Sequence, residues 1–281
     1  MELLCSETNR IQRAYKDPVF LQDSVLQQHL KLEKFCQIPA NHLDQQEDIK
    51  PFMRRVVAQW MSEVCEEQQC EEEVFTLSMN FLDRVLVVTK SIARTNLQLL
   101  ATACMFSASK LKETLPLTAE KLVLYTDNSI TRQQLLDWEM LVLSKLKFDL
   151  SPVLAFDFLD ILLDRLRLPK ETQVYLRGLA VSYINILPLD EKCVVYSPSV
   201  IASACLCASI EKITNSWRAA LYSRILKDLI GADMEQLVEC TQRVKQQVGD
   251  KDSKYSKESS KDPPKPLHPG TPTDVLDISV N

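Results

Sequence analysis

Nine cysteines, three histidines and a dense set of carboxylates are the side chains of this 281-residue sequence that could do chemistry. Nucleophilic catalysis would need a serine or cysteine within hydrogen-bond reach of a base that a third group orients. His29, His42 and His268 all lie outside two central stretches of helical pattern. A Ser-His or Cys-His pair therefore forms only if the flanks fold back over that core. Zinc would need clustered soft ligands. Cys65 and Cys70 flank an expected helix end, Cys205 and Cys207 sit in an apolar helix, and no histidine is near either pair. Ordinary buried thiols are expected, with no metal and no cofactor. Glu66, Glu67, Glu71, Glu72 and Glu73 form a charge run of the kind found on a solvated loop and helix start. The residues point to a protein that acts by binding and is not an enzyme.

Phosphate chemistry is disfavoured on separate grounds. The chain has four glycines, Gly178, Gly231, Gly249 and Gly270, against about twenty at average usage. Tight hairpins and phosphate-cradling loops need residues that accept positive φ cheaply. That scarcity argues against sheets, Rossmann folds and P-loops and in favour of an all-α fold. The net charge of −5 argues against a broad nucleic-acid face while leaving room for a local basic patch. The N-terminus turns polar within a few residues, and no apolar run approaches the ~20 residues that span a bilayer. Reduced cysteines and a nuclear and cytoplasmic location are expected.

The elements that would position any site are marked by proline. Pro39, Pro51, Pro116, Pro152, Pro169, Pro188 and Pro198 fall between or at the start of amphipathic runs. The first run begins near Ile49, where Phe52, Val56, Val57, Trp60, Met61 and Val64 recur at helical spacing and predict one buried face. A second helix is expected over 71–88, with its acidic first turn suited to the helix dipole. Thr95-x-x-Gln98 reads as a capping box opening a third helix, which is almost free of charge from Leu97 to Leu111 and should be a hub surrounded on most sides. Thr118 caps a short fourth helix, and Thr131-x-x-Gln134 a fifth ending near Leu146.

A second block repeats the plan. Ser151-Pro152 and Ser197-Pro198 place serine at the N-cap and proline at the first helical position. Gly231 closes one helix, and Asp233-x-x-Gln236 opens the last. The hub recurs as well, since Ala204-Cys205-Leu206-Cys207-Ala208 echoes Ala103 to Ala108. The boundaries expected are a flexible segment 1–16, an N-terminal helical extension 17–48, blocks 49–148 and 149–248, and a proline- and lysine-rich disordered tail 249–281.

Several segments resemble the D-type cyclins. They include Met53-Arg54-Arg55-Val56-Val57-Ala58-Gln59-Trp60, Glu63-Val64-Cys65-Glu66-Glu67-Gln68, and Cys70-Glu71-Glu72-Glu73-Val74-Phe75. Asn80-Phe81-Leu82-Asp83-Arg84, Ala108-Ser109-Lys110-Leu111-Lys112-Glu113-Thr114 and Tyr125-Thr126-Asp127-Asn128-Ser129-Ile130 continue the likeness. It is dense from about residue 50 to 150, thins through the second block, and returns at both termini.

The resemblance implies two consecutive five-helix cyclin boxes, with the first box gripping a cyclin-dependent kinase. Lys110 and Glu139 match the kinase-contacting Lys and Glu of the family, although without the likeness an internal salt bridge with no partner is the favoured reading. Met53, Val57, Trp60 and Glu63 match the patch that captures short Arg-x-Leu docking peptides of substrates and inhibitors, where by spacing alone such a stripe is more often core. Leu3, Cys5 and Glu7 match the Leu-x-Cys-x-Glu pattern for retinoblastoma-type pocket proteins, and alternate residues of an extended segment face one side. Thr271-Pro272 resembles the phosphorylation site linked to nuclear export and destruction through a ubiquitin ligase; this tail lacks the long acidic run of some relatives. The function implied is a regulatory subunit that activates cyclin-dependent kinases four and six at the G1/S transition. Two alternatives stay open: a general transcription factor built on paired cyclin-like boxes, and an inactive scaffold or viral mimic.

Overall fold

The structure, a computed structural model, describes residues 17–44 and 46–258, with the backbone alone described for 250–258. Among these residues it is built of helices. A short 3₁₀ turn, Pro18–Leu21, leads into α1, Asp23–Leu32. Five helices follow: α2 (Pro51–Glu67), α3 (Val74–Val88), α4 (Leu97–Lys112), α5 (Ala119–Tyr125) and α6 (Arg132–Lys145). Five more form the second block: α7 (Ala155–Arg165), α8 (Lys170–Ile184), α9 (Pro198–Ile213), α10 (Ser216–Ile230) and α11 (Met234–Glu258). The expected all-α architecture of an N-terminal helix and two five-helix bundles is what the chain adopts.

Each bundle is organised around its third helix. In α4 every residue from Leu97 to Ser109 except Gln98 is buried, and the helix packs against α2, α3, α5 and α6. In α9 the buried run is Ser199 to Ile210 with Ile201 alone excepted, and α7, α8, α10 and α11 surround it. Ala101, Ala103, Cys104 and Ala108 in one hub, and Ala202, Ala204, Cys205 and Ala208 in the other, keep both helices thin. Small side chains let neighbouring axes come close on all sides, which a uniformly Leu-rich helix would prevent.

The helix that opens the first bundle is rotated from its expected setting. Phe52 and Val56 are 63% and 64% exposed, whereas Arg54, Ala58, Met61, Ser62, Val64 and Cys65 face the core. The cause is a charge. Arg54 is fully buried and grips Asp83 of α3 with two bonds, Nε to Oδ1 and Nη2 to Oδ2, each 2.6 Å. Its third visible bond, Nη1 to the carbonyl of Pro188 at 2.8 Å, reaches the segment between α8 and α9. Burial works to raise the pKa of Asp83, but the facing guanidinium and its hydrogen bonds, with a contribution from His42, hold the carboxyl below its ordinary range. Hydrophobic periodicity cannot count an arginine as core, so the pattern misplaced the face.

Other helix ends differ from expectation for similar reasons. Helix α4 begins at Leu97 after a 3₁₀ turn, Arg94–Asn96, with Asn96 at the N-cap and no side-chain cap, so the Thr95–Gln98 box does not start it. The Arg94 N–H goes instead to the Asp48 carboxylate at 2.9 Å. Ser151-Pro152 does not cap α7, which begins at Ala155; the Asp157 carboxylate accepts from the N–H of Leu154 at 2.7 Å. Ser197 does occupy the N-cap of α9 ahead of Pro198, but its side chain caps nothing. The buried Glu33 carboxylate, from the end of the N-terminal extension's helix, takes the Ser199 N–H at 2.9 Å and its hydroxyl at 2.8 Å. The caps expected from Thr118, from Thr131 with Gln134, and from left-handed Gly231 are formed. Helix α11 runs to Glu258, so the backbone over 249–258 is helical where an unstructured tail was expected to begin.

The N-terminal extension, over its described residues, does fold over the core. His29 packs edge-on against Phe158 with ring centroids 5.7 Å apart, and His42 is buried with Nε2 3.6 Å from Asp83. Gln46 donates to the carbonyl of Leu86 at 2.7 Å and to that of Thr89, while accepting from the Ile92 N–H at 3.2 Å. It thereby satisfies the last carbonyls of α3, which have no partner within their own helix. Of the acidic run, Glu66 and Glu67 are exposed as expected of a solvated face, whereas the rest is only partly exposed. Glu71, Glu72 and Glu73 precede α3; Glu72 pairs with Arg177 of α8 at 2.5 Å, and Glu73 with Lys112 of α4. Arg177 also holds Asp160 of α7 at 3.2 Å, so one guanidinium ties the second block to the first.

Replacing Arg54 by alanine strands the Asp83 carboxylate in the core. Urea denaturation should show a loss of about 3–5 kcal/mol, the cost of breaking a buried pair from one side. The double variant Arg54→Met with Asp83→Leu should recover most of it. In the unaltered chain the contribution of Asp83 is present above the pKa of an unfolded aspartate and fades as pH falls through the lower folded value.

Candidate functional site

Lys110 lies in the last turn of α4, where its charge complements the helix dipole. Glu139 lies within α6, which packs along α4. The two side chains form an ion pair. They are not equally exposed: the lysine side chain is 42% accessible and the glutamate 10%. Glu139 is thus a buried anchor, approached from below by the Ser107 hydroxyl at 3.5 Å. The Lys110 ammonium also sits 4.0 Å from the centre of the Phe106 ring, a cation–π contact that fixes its stem.

An exposed apolar rim surrounds this pair in sequence. Leu111 is 48% exposed, Leu115 82%, Met140 58% and Phe148 64%. Phe148 is held outward by two successive left-handed residues, Lys147 at φ 53° and Phe148 at φ 59°, with the Phe148 N–H bonded to Leu143 O at 2.9 Å. Left-handed backbone at two non-glycine residues is retained where a surrounding structure dictates it. A fixed ammonium beside apolar side chains suits the end of a partner helix: carbonyl oxygens for the lysine and aliphatic side chains for the rim.

The second candidate site runs along α2. Met53 and Trp60 are half-buried against the core, and the Trp60 indole donates to the carbonyl of Tyr125 at 3.3 Å. Glu63 is exposed and accepts from Gln59 at 2.9 Å. Val57 is also half-buried. The structure adds Val56, which sequence reasoning had assigned to the core. Met53, Val56, Trp60 and Glu63, at spacings of three, four and three, lie along one face. The signal that could have found Val56 is the burial of Arg54, since a helix that turns residues 54, 58 and 61 inward must turn 56 outward. Leu3, Cys5, Glu7 and Thr271 lie outside the described residues.

Little else invites chemistry. No group of three or more metal-capable side chains occurs among the described residues. Burial pushes the thiol of Cys207 up to about 11 and those of Cys104 and Cys205 upward as well, which keeps them protonated and poor nucleophiles. Among the described residues no helix is long and apolar enough to cross a membrane.

Comparison with known proteins accounts for this pair of helical bundles. Residues 24–151 match the family model for the cyclin N-terminal domain, and 153–264 that for the cyclin C-terminal domain. G1/S-specific cyclin-D2 of Rattus norvegicus is 41% identical over 289 residues, covering 100% of both chains. G1/S-specific cyclin-D3 of Homo sapiens is 40% identical over 293 residues, again covering 100% of both. Among solved structures, a viral cyclin from Herpesvirus saimiri superposes with a TM-score of 0.70 at 28% identity, covering 81% of this chain and 96% of its own. A chain of the CAK complex from Chaetomium thermophilum shares the fold at a TM-score of 0.51 and 15% identity, covering 82% and 75%.

The assignment of faces on α2 is directly checkable. Val56→Ala should leave stability within about 0.5 kcal/mol, as for an exposed site. Met61→Ala, at a side chain with no exposure, should cost about 2–5 kcal/mol in the same denaturation assay.

Proposed function

The chain belongs to the cyclin family, and on that premise we propose that it is a D-type regulatory subunit that binds and activates cyclin-dependent kinases four and six. It directs them to retinoblastoma-type pocket proteins and so promotes the G1/S transition. The observation that carries the reading is the Lys110–Glu139 pair, in which a buried carboxylate and the Phe106 ring orient a half-exposed ammonium. A partner helix seated there would be held in one register by charge-assisted bonds from the lysine. Activation is then a population shift in the kinase, whose own Lys–Glu pair must be in place before phosphoryl transfer.

The α2 face supports substrate and inhibitor docking. An apolar slot beside a carboxylate suits a peptide with leucine and arginine, and Val56 joins Met53, Val57, Trp60 and Glu63 in forming it. Leu3, Cys5 and Glu7 supply a separate contact to pocket proteins. Phosphorylated Thr271 supplies a handle for export and for a ubiquitin ligase, giving a protein that works in nucleus and cytoplasm. Identity near 40% to G1/S-specific cyclins over the full length of both chains favours this reading over a transcription factor or a viral mimic.

Mixing purified chain with each kinase subunit tests the proposal. The chain alone should phosphorylate nothing, and the complex should phosphorylate a pocket-protein fragment. Lys110→Glu places two carboxylates together and should weaken assembly at least ~30-fold, the low end for truncating a buried charge contact. Leu3→Ala or Cys5→Ala should lower pocket-protein capture and leave kinase assembly unchanged. Normal assembly by Lys110→Glu would remove the site assignment, and failure of the intact chain to capture either kinase would remove the function.

A further inference from the structure

The C-terminal end of α2 carries two cysteines that the proposed function does not use. The helix stops in a left-handed turn at Gln69, φ 52°. The Gln69 N–H donates to Glu66 O at 3.2 Å, and the Cys70 N–H donates to the carbonyl of Cys65 at 2.9 Å. In this six-residue pattern the side chains at the first and last positions meet, usually as an apolar contact. Here both positions are cysteine, so the motif turns the two side chains toward each other. A backbone bond between the two cysteines themselves also holds their Cα atoms adjacent, as a disulfide requires.

We infer that Cys65 and Cys70 form a reversible disulfide, a redox modification site closed by exchange with a small-molecule disulfide such as oxidised glutathione. Within reducing compartments such bonds are transient and report on oxidation. Access fixes the order of events. Cys70 is half-exposed, whereas Cys65 is 8% exposed with its sulfur 3.9 Å from that of Met105. The Cys70 thiolate attacks one sulfur of oxidised glutathione, whose S–S bond breaks and releases one glutathione thiolate. Cys65 then gives up its proton to solvent and attacks the Cys70 sulfur, expelling the second glutathione. Two protein thiols are oxidised to one disulfide, and one glutathione disulfide is reduced to two thiols. Burial raises the pKa of Cys65, so the second step is the slow one and quickens as pH rises.

The turn is placed to matter. Gln68 donates to the Tyr125 hydroxyl at 2.5 Å and accepts from Lys121 at 2.8 Å, beside the Trp60 bond to Tyr125. The N–H of Glu71 donates to the Glu113 carboxylate at 3.0 Å, one residue past the end of the helix that carries Lys110. A disulfide here would anchor the segment that joins the docking face of α2 to the terminus of α4.

The test uses the full chain, exposed to oxidised glutathione, blocked with iodoacetamide, cleaved with trypsin and mapped by mass. The 56–84 peptide, which holds both cysteines, should become lighter by two hydrogens with neither adduct nor alkylation. Reduction should restore two alkylation sites, and the oxidised chain should melt at a higher temperature. Cys70→Ser, or Cys70→Ala should serine perturb folding, should abolish the linkage and leave buried Cys65 without glutathione. Cys36→Ser, altering the other half-exposed cysteine among the described residues, should leave the linkage unchanged. A glutathione adduct that persists on Cys70, linkage of either residue to a different cysteine, or inertness of Cys70 under conditions that modify Cys36 would each overturn the inference.

Discussion

An ion pair sealed from water sets the arrangement of the first bundle and much of what is attached to it. Arg54 and Asp83 are 0% and 3% exposed, and their two bonds join α2 to α3. Such a pair adds little net stability over a well-packed apolar contact, but leaving either charge alone costs about 3–5 kcal/mol. That asymmetry makes it a selector of geometry. Turning α2 to bury Phe52 and Val56 would gain about 1.5–3 kcal/mol for each side chain. The same turn would expose Met61 and Val64, so the apolar terms nearly cancel. What remains is a stranded Asp83, and that penalty chooses the observed rotation.

The consequences run outward from this choice. With Arg54 inward, Val56 and Glu63 face out and Met53 and Trp60 lie at the margin, which creates the α2 face. The same guanidinium bonds the carbonyl of Pro188, and His42 of the N-terminal extension approaches Asp83. One charge pair therefore touches the extension, helices α2 and α3 of the first bundle and the connection to α9. Arg177 with Glu72 and Asp160, and Thr76 with Asn185 at 3.0 Å, reinforce the junction between bundles at other points. The two hubs take no part in these polar contacts. They supply packing density, and the polar contacts fix which way the packed units face.

Patterns that depend on local physics were legible in the sequence. The helix class, the repeated block, both small-residue hubs and the caps at Thr118, Thr131 and Gly231 follow from residue type and near-neighbour spacing, whereas the count of five helices in each block came with the family likeness. What was not legible depends on a partner far along the chain. Arg54 belongs in the core only because Asp83, 29 residues later, meets it. Ser199 needs no cap from Ser197 because Glu33, 166 residues earlier, provides one. Glu72 reads as surface charge until Arg177 is brought to it by the docking of α8. Lys110 and Glu139 stand as candidate site residues only through family likeness, since spacing alone cannot distinguish a contact surface from an internal salt bridge.

The proposed activity places a physical demand on this architecture. A subunit without catalytic groups changes a partner only through the difference in its affinity for two states of that partner. If the binding surface yields to fit both states equally, that difference vanishes however tight the complex. The Lys110 ammonium is constrained on three sides: by Glu139 beneath, by the Phe106 ring, and by a helix buried along nearly its whole length. Little side-chain freedom then remains to be lost on binding, and little compliance is available to accommodate the wrong register. In the proposed role the buried frame and the exposed pair are therefore one device. The frame orients the lysine, and an oriented lysine favours the one register of the bound kinase helix that meets it.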